Sequence, residues 1–349
     1  MSWSAPARAM PDERRVLIPT RITLPPFFGA LRTLAVKELG GETMGTSWSA
    51  TLAVVPGTDL APLKRGIEVV LARVIDEMSP WEPGSHITRF NTAPPGTRHR
   101  LPDGFFEVLS AALGWAERTR GAYDPTIGAA VNLWGFGPEP PRGCVPDRAA
   151  LDRARDLSGW RRLTLDAESR SVVQPGGLRL DLSSIAKGFA VDAVARFLRG
   201  EGVANLLVEI GGELRGEGLK PDGTPWWVAL ERPRGALCAD ALPETLLALT
   251  GLSVATSGDE RRYFDAAGRR YAHTLDPATG APVTHDLVSV TVVAEACMTA
   301  DAAATALTVL GPEAGPAFAA EHRIAARFVR LEGARLIEHL SPEMAAMLD

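Results

Sequence analysis

Residues 287–310 read LVSVTVVAEACMTADAAATALTVL. The first eight, Leu287–Ala294, are apolar and rich in β-branched side chains, the composition of a buried strand. The alanine-rich run 299–310 has the opposite preference and predicts a helix. Downstream, 327–337 reads as a closing hairpin. Upstream, Asp265-Ala266-Ala267-Gly268 sits between 263–264 and 270–273, a hairpin signature. Further out, 48–55, 163–173, 178–182, 205–210 and 226–230 read as strands, and 242–249 as a short helix. Residues 60–78 place Leu63, Ile67, Val70, Leu71, Val74, Ile75 and Met78 at helical spacing, and 105–119 repeats that pattern. Residues 181–200 form a strand-to-helix transition in which Ser183 and Ser184 are N-cap candidates. Val191, Val194, Ala195 and Leu198 supply its apolar stripe, and Gly200 or Gly202 its end. Residues 92–103 and 135–146, rich in Pro and Gly, are expected to be irregular. Strands and helices mix without βαβ regularity, so the class is α+β. The length suits one large domain or two, with folded sequence starting near Gly41. Residues 1–41 are expected to be a poorly ordered N-terminal extension.

Composition narrows the function. The chain has 349 residues, with 37 Lys plus Arg against 42 Asp plus Glu, a formal net charge of −5. No basic excess is present to neutralise a nucleic-acid backbone. Apolar residues at 46% and charged residues at 23% match ordinary globular proteins and argue against global disorder. Cys144, Cys238 and Cys297 form no CxxC pair, which argues against thiolate zinc and disulfide scaffolds, and they read as small buried apolar residues. No run is long and apolar enough for a membrane helix. In the N-terminal stretch, arginines precede Leu24-Pro25-Pro26-Phe27-Phe28, but prolines and Arg32 interrupt it. It reads poorly as a signal peptide, so a cytoplasmic location is expected.

Chemistry concentrates in a few stretches. Asp301 and Thr305 are four apart and share one helix face, offering a carboxylate and a hydroxyl to a hard cation such as Mg²⁺. The plain alternative is an acid in the first turn, favoured by the helix dipole, and a tolerated threonine. Asp181-Leu182-Ser183-Ser184-Ile185-Ala186-Lys187-Gly188 ends a strand and starts a helix, where free N–H groups attract phosphate. Lys187 in that first turn opposes the dipole, which suggests an anionic partner; a surface lysine is the alternative. Gly121-Ala122-Tyr123-Asp124-Pro125-Thr126 and 132–137 can bring backbone and aromatic faces to a planar ligand, or simply make turns and core. His273 adjoins the turn 274–280 and is a candidate general base or a structural histidine.

Taken in order, these stretches resemble the ApbE family, the FAD:protein FMN transferases. The matching segments are Glu42-Thr43-Met44-Gly45-Thr46; Ser79-Pro80-Trp81 with Ser85 and Arg89-Phe90-Asn91; 121–137; 181–188; Glu209-Ile210-Gly211-Gly212-Glu213; Ala255-Thr256-Ser257-Gly258; 273–280; and 300–305. The resemblance spans about residues 42 to 340 and overturns the plain readings of Asp301, Thr305 and Lys187. It implies one large domain over 42–349, of mixed, mainly antiparallel sheet with packed helices and a T-fold-like core, and an enzyme that splits FAD, passes FMN to a Thr or Ser hydroxyl of a target protein through a phosphoester, and releases AMP. Implied targets are respiratory ion-pump subunits or flavin reductases. A Mg²⁺-dependent FAD diphosphatase, or a flavin-binding protein without turnover, is the alternative.

Carried onto this chain, the resemblance places Mg²⁺ ligands at Asp301, Thr305 and Ser184, the last through its hydroxyl or its carbonyl. FAD contacts fall on Met44, Trp81, Ala122, Tyr123, Asp124, Asp181, Lys187 and His273. Lys187 and His273 are also the expected catalytic residues, His273 as the base, with Asp276 and Asp181 as alternatives. Two departures stand out: Ser183-Ser184 where many relatives have Gly-Gly, and Trp81 where a tyrosine is common.

Overall fold

The computed structural model describes all residues except 1–13, 20–27, 141–143, 234–241, 259–262, 267–268 and 334. Its main sheet has eight strands: β1 (Ala35–Thr43), β2 (Thr46–Val54), β3 (Leu206–Ile210), β4 (Glu213–Glu217), β5 (Leu252–Gly258), β6 (Leu287–Ala294), β7 (Ala325–Glu332) and β8 (Arg335–Leu340). Their spatial order follows their chain order, and every neighbouring pair is antiparallel. The sheet is therefore a meander, and the long excursions after β2 and β5 do not change who pairs with whom. The longer helices among the described residues are α1 (Ala61–Met78), α2 (Asp103–Arg118), α3 (Ala186–Gly200) and α4 (Cys297–Glu321).

The chain gathers into two compact units whose segments alternate along the sequence. The first comprises residues 1–71, 187–258 and 286–349; the second comprises 72–186 and 259–285. The first unit holds the meander. β6 is buried along nearly its whole length because α4 packs against β5, β6 and β7. That burial explains an apolar run in place of alternation. α4 is itself buried through Ala300, Asp301, Ala302, Ala303 and Ala304, and small side chains let it lie close to the sheet. Its regular first part ends at Gly311, whose φ of 81° breaks the helix before Pro312, as the expected end at Leu310 requires. In α3, Val191, Val194, Ala195 and Leu198 are all buried.

The second unit is built from α2, shorter helices and small ladders. One core packs Ala130, Leu133, Trp134, Ala154 and Leu275. Buried Gln174 ties its loops, donating from Nε2 to the carbonyls of Phe90 and Leu178 and accepting at Oε1 from the amides of Gly176 and Leu178. The hairpin expected around 263–273 is present as strands Tyr263–Ala266 and Arg269–Ala272.

Five expectations need correction. Residues 92–103 are not irregular throughout: Arg98–Arg100 pairs antiparallel with Ser171–Val173, and that pairing overrides the Pro and Gly content around it. Residues 242–249 form no helix: Glu244–Leu249 is a strand between Arg14–Leu17 and Trp226–Ala229. Its leucines suit either element, and pairing on both sides decides the matter. Residues 178–182 alternate as a strand should, with Leu178, Leu180 and Leu182 buried, yet only Arg179 makes a bridge, to Ile127. The Leu180 amide and carbonyl bond instead to the Asn91 side chain. The expected unordered extension over 1–41 does not hold for Arg14–Leu17, which pairs in parallel with Glu244–Leu247, or for 35–41, which belong to β1. Leu17 is fully buried, and strand pairing with an apolar anchor outweighs a sequence poor in periodicity. Cys144 is exposed, not buried; Cys297 is buried as expected, and Cys238 lies outside the described residues.

Candidate active site

Within the first unit, the start of α3 and the start of α4 cross. Gly188 is the contact point: a Cβ there would lie 2.4 Å from the Cys297 carbonyl oxygen, so only glycine permits the approach. The Gly188 amide donates to Oδ2 of Asp301 at 2.9 Å. Asp301 is 5% exposed. Burial pushes its carboxyl pKa upward, against the opposing effects of the Lys187 charge and the Gly188 amide. One turn along α4, Thr305 Oγ1 lies 3.2 Å from Ser257 Oγ on β5.

Lys187 adjoins Gly188 in the first turn of α3, and its ammonium donates to Oε1 of Glu213. Glu213 opens β4 after Gly211 and Gly212, whose φ values of 61° and 102° make the β3–β4 turn. It is 3% exposed, and its buried Oε2 has no hydrogen-bond partner among the described residues. Burial lifts its pKa to about 7, with Lys187 pulling it down and Asp301 pushing it up. Two buried carboxylates thus face one ammonium. The cluster is short of positive charge and carries an orphaned carboxylate oxygen. Asp301, Thr305 and Glu213 offer only hard oxygen atoms, the donor type Mg²⁺ prefers. The residues present therefore fit a divalent cation.

The sequence reading assigned Glu213 no role. Its only signal was an acid directly after paired glycines, at the head of a strand whose register turns it inward. The expected free amides at the start of α3 are also modified by the structure. The Gly188 amide is taken up by Asp301, and those of Ile185 and Ala186 by the Leu182 carbonyl. Neither serine caps the helix: Ser183 Oγ donates to Asp181 and Ser184 Oγ to Tyr123. The Lys187 side chain supplies positive charge at this end of α3, and these three amides are already bonded.

Met44 also belongs to the first unit. It occupies the two-residue turn between β1 and β2 with φ 49°, followed by Gly45 at φ 71°. A non-glycine residue in the left-handed region carries backbone strain of order 1 kcal/mol or more. Such strain is commonest where a side chain has to be presented in one direction.

The remaining candidates lie in the second unit. Tyr123 is 2% exposed, and its hydroxyl accepts from Ser184 Oγ at 3.0 Å, so these two candidates meet. Asp124 is a loop staple: Oδ1 accepts from the Thr126 amide at 2.8 Å and the Thr126 hydroxyl at 2.6 Å, and Oδ2 from the Trp160 amide at 3.2 Å. Burial raises its pKa against those bonds. Asp181 staples the next turn, accepting from the Ser183 amide at 2.9 Å and hydroxyl at 2.5 Å. Both aspartates hold the loops that carry Ala122, Tyr123 and Ser184. His273 is half-buried, edge-on to Phe136 with ring centroids 6.4 Å apart. Nearby, Trp134 Nε1 donates to the Gly280 carbonyl at 2.9 Å. Trp81 is an exposed aromatic at 47%.

Comparison with known proteins adds an independent line. The family model described as "ApbE family" matches residues 44–328. The FAD:protein FMN transferase of Vibrio cholerae is 40% identical over 288 residues, covering 82% of this chain and 85% of that protein. The FAD:protein FMN transferase of Escherichia coli K12 is 33% identical over 316 residues, covering 90% and 89%. Among solved structures, the apo flavinyl transferase ApbE of Pseudomonas stutzeri superposes with a TM-score of 0.82 at 38% identity, covering 90% of this chain and 97% of that one. The flavin transferase ApbE of Vibrio cholerae gives 0.81 at 35% identity, covering 90% and 99%.

Proposed function

The chain belongs to the ApbE family, and we propose that its charged cluster at Lys187, Glu213 and Asp301 serves the FMN transfer for which its relatives are named. The protein is an FAD:protein FMN transferase. FAD is its substrate and a second protein its acceptor. The observation that carries the site assignment is the charge imbalance itself: two buried carboxylates, one of them with an orphaned oxygen, beside a single ammonium at a helix start.

The chemistry proposed is attack of a Thr or Ser hydroxyl oxygen on the FMN-side phosphorus of FAD. A phosphoester forms, the bond from that phosphorus to the bridging oxygen breaks, and AMP leaves with the bridging oxygen. When bound, Mg²⁺ offsets charge that builds on the diphosphate. Asp301 and Thr305 would hold it, with Ser184 the further ligand that the family resemblance implies. The Gly188 amide fixes Asp301 Oδ2 and would leave Oδ1 available as a ligand. Lys187 supplies a preorganised positive charge to the phosphate oxygens. Glu213 orients the Lys187 ammonium and limits its motion. His273 accepts the proton from the attacking hydroxyl. Asp124 and Asp181 act by holding their loops in shape. Met44, Trp81, Ala122 and Tyr123 contact the flavin nucleotide. Ion-pump subunits and flavin reductases are the proposed acceptor class. A cytoplasmic location belongs to the proposal and rests on the N-terminal sequence reading alone; among the described residues no helix is long and apolar enough to cross a membrane.

The test incubates protein, FAD and Mg²⁺ with and without an acceptor domain of that class. AMP release that requires the acceptor, with an acceptor mass gain of one FMN, is the expected result. AMP without acceptor identifies a diphosphatase. Bound FAD with no AMP in either arm overturns both. His273→Ala is expected to slow transfer and flatten its pH profile; an unchanged rate at all pH values with saturating acceptor removes His273 as the base.

A further inference from the structure

Asp192 lies five residues beyond Lys187 on α3, is 5% exposed, and takes no part in the chemistry above. Its carboxylate reaches across to α4. Oδ1 accepts from the Cys297 amide at 3.0 Å and Oδ2 from the Met298 amide at 2.9 Å. These are the first two residues of α4, whose own N-cap, Ala296, has no side chain able to bond them. Asp192 is therefore the cap of α4, supplied by another helix. A carboxylate at this place satisfies orphan donors and favours the helix dipole.

The arrangement is reciprocal. Gly188 and Asp192 are four apart on α3; Cys297 and Asp301 are four apart on α4. Asp301 accepts from the Gly188 amide as Asp192 accepts from the Cys297 amide. Each helix thus lends an aspartate to the N-terminus of the other, and the two meet at the Gly188–Cys297 contact. Arg215 on β4 locks the pair from the sheet side. Its guanidinium donates to Asp192 Oδ1 at 2.9 Å, to Glu217 Oε1 at 2.7 Å, and to the carbonyl of Glu295, two residues before α4, at 2.6 Å.

We propose that Asp192 is a positioning residue for the metal ligand Asp301: by capping α4 from α3, it sets how far α4 advances past Gly188 and so where the Asp301 carboxylate stands. This rests on the reading of Asp301 as a Mg²⁺ ligand. Removing the cap frees α4 to slide or fray at its first turn. Asp301 then keeps its chemistry and loses its placement. Partners that orient a ligand without touching the metal typically change metal affinity by about 10–100-fold.

The experiment measures Mg²⁺ binding to the full chain by calorimetry, without FAD or acceptor. It compares wild type, Asp192→Ala, Asp192→Asn, Glu217→Gln and Asp301→Ala. Asp192→Ala is expected to weaken Mg²⁺ about 10–100-fold. Asp192→Asn, which retains one acceptor oxygen, should fall between it and wild type. With saturating Mg²⁺, both should recover much of kcat while KM for FAD changes little. Glu217→Gln disturbs the same arginine without touching α4, so it should lose stability but bind Mg²⁺ as wild type does. If Asp192→Ala does not fold, the Asn variant and amide exchange at Cys297 and Met298 carry the test. Wild-type Mg²⁺ affinity in the Asp192 variants, with Asp301→Ala deficient, overturns this proposal alone. Wild-type affinity in Asp301→Ala removes the metal reading and this proposal with it.

Discussion

Two of the buried charge clusters in the first unit have opposite balance. At the α3–α4 crossing, Glu213 and Asp301 face Lys187, two negative charges against one positive. Beside β7 and β8, Glu338 receives both Arg15 and Arg327, one negative charge against two positive. Glu338 is buried too, which by itself would raise its pKa. Hydrogen bonds from Arg15, the charges of Arg327 and Arg15, and the Arg327 hydrogen bond outweigh that and hold it below the ordinary value. Glu213 is raised to about 7. The same residue type under similar burial moves in opposite directions because of the local charge count. The Glu338 cluster has its cations built in, and it ties the Arg14–Leu17 strand to β8. The Glu213 cluster leaves a carboxylate oxygen unpartnered and accommodates a cation from outside. Both clusters leave buried polar atoms without a partner among the described residues, Glu213 Oε2 in one and Arg15 Nε and Arg327 Nη2 in the other, so the sign of the surplus charge is what separates them.

The sharpest way to break this contrast is Asp301→Ala. It should abolish Mg²⁺-dependent transfer and also lower the melting temperature, because the buried Gly188 amide loses its acceptor. Activity is read as AMP release. Next, Lys187→Ala should lower kcat by about 10²–10³-fold, the scale for losing one preorganised positive group, with little change in Mg²⁺ affinity. In the other cluster, Glu338→Ala leaves Arg327, only 1% exposed, without its anion. It should cost about 3–5 kcal/mol in urea unfolding while transfer per folded molecule is unchanged. Gly188→Ala drives a methyl into the Cys297 carbonyl and should cost about 1–3 kcal/mol. Unlike Glu338→Ala, it should also weaken Mg²⁺.

The smallest effect is the pH dependence of stability, measured with a chelator present. Glu338 has a folded pKa below its unfolded one. Its contribution is complete above about pH 4.5 and is lost as pH falls through the folded value. Glu213 is the reverse. Its folded pKa of about 7 exceeds the unfolded one, so ionisation destabilises the fold as pH rises from about 4.5 to 7. Glu213→Gln should reduce the slope in that window, to which raised Asp301 and Asp124 also contribute, and Glu338→Gln should reduce the loss in acid. If neither slope changes, the opposed charge balances have no energetic reality.

How much of this could be read beforehand differs by residue. Lys187, Asp301 and Thr305 became site candidates through the family resemblance, because their spacing alone also suits a dipole-favoured acid, a tolerated threonine and a surface lysine. Tyr123 and Ser184 were legible as candidates, but their mutual hydrogen bond joins residues 61 apart. Asp124 and Asp181 were found as site residues, yet the structure shows both holding their own turns. Glu213 was hidden because an acid at the head of a strand looks the same whether its side chain meets water or Lys187. Asp192 was hidden for a similar reason: on a helix surface it reads as a solvated charge. The strand Glu244–Leu249 was misread as helix because leucine-rich runs fit both periods, and only its two partners choose between them.

Sequence alone determined the local elements with strong periodicity: β6, the first part of α4, the stripe of α3, and the motifs that mark the family. Those depend on residues close along the chain, where steric preference and amphipathic spacing act directly. Tertiary structure alone decided which charges are buried together, which carboxylate has no partner, and that α3 and α4 cap one another. These depend on desolvation and on contacts between residues 26 to 113 positions apart, and no local pattern encodes the distance between them.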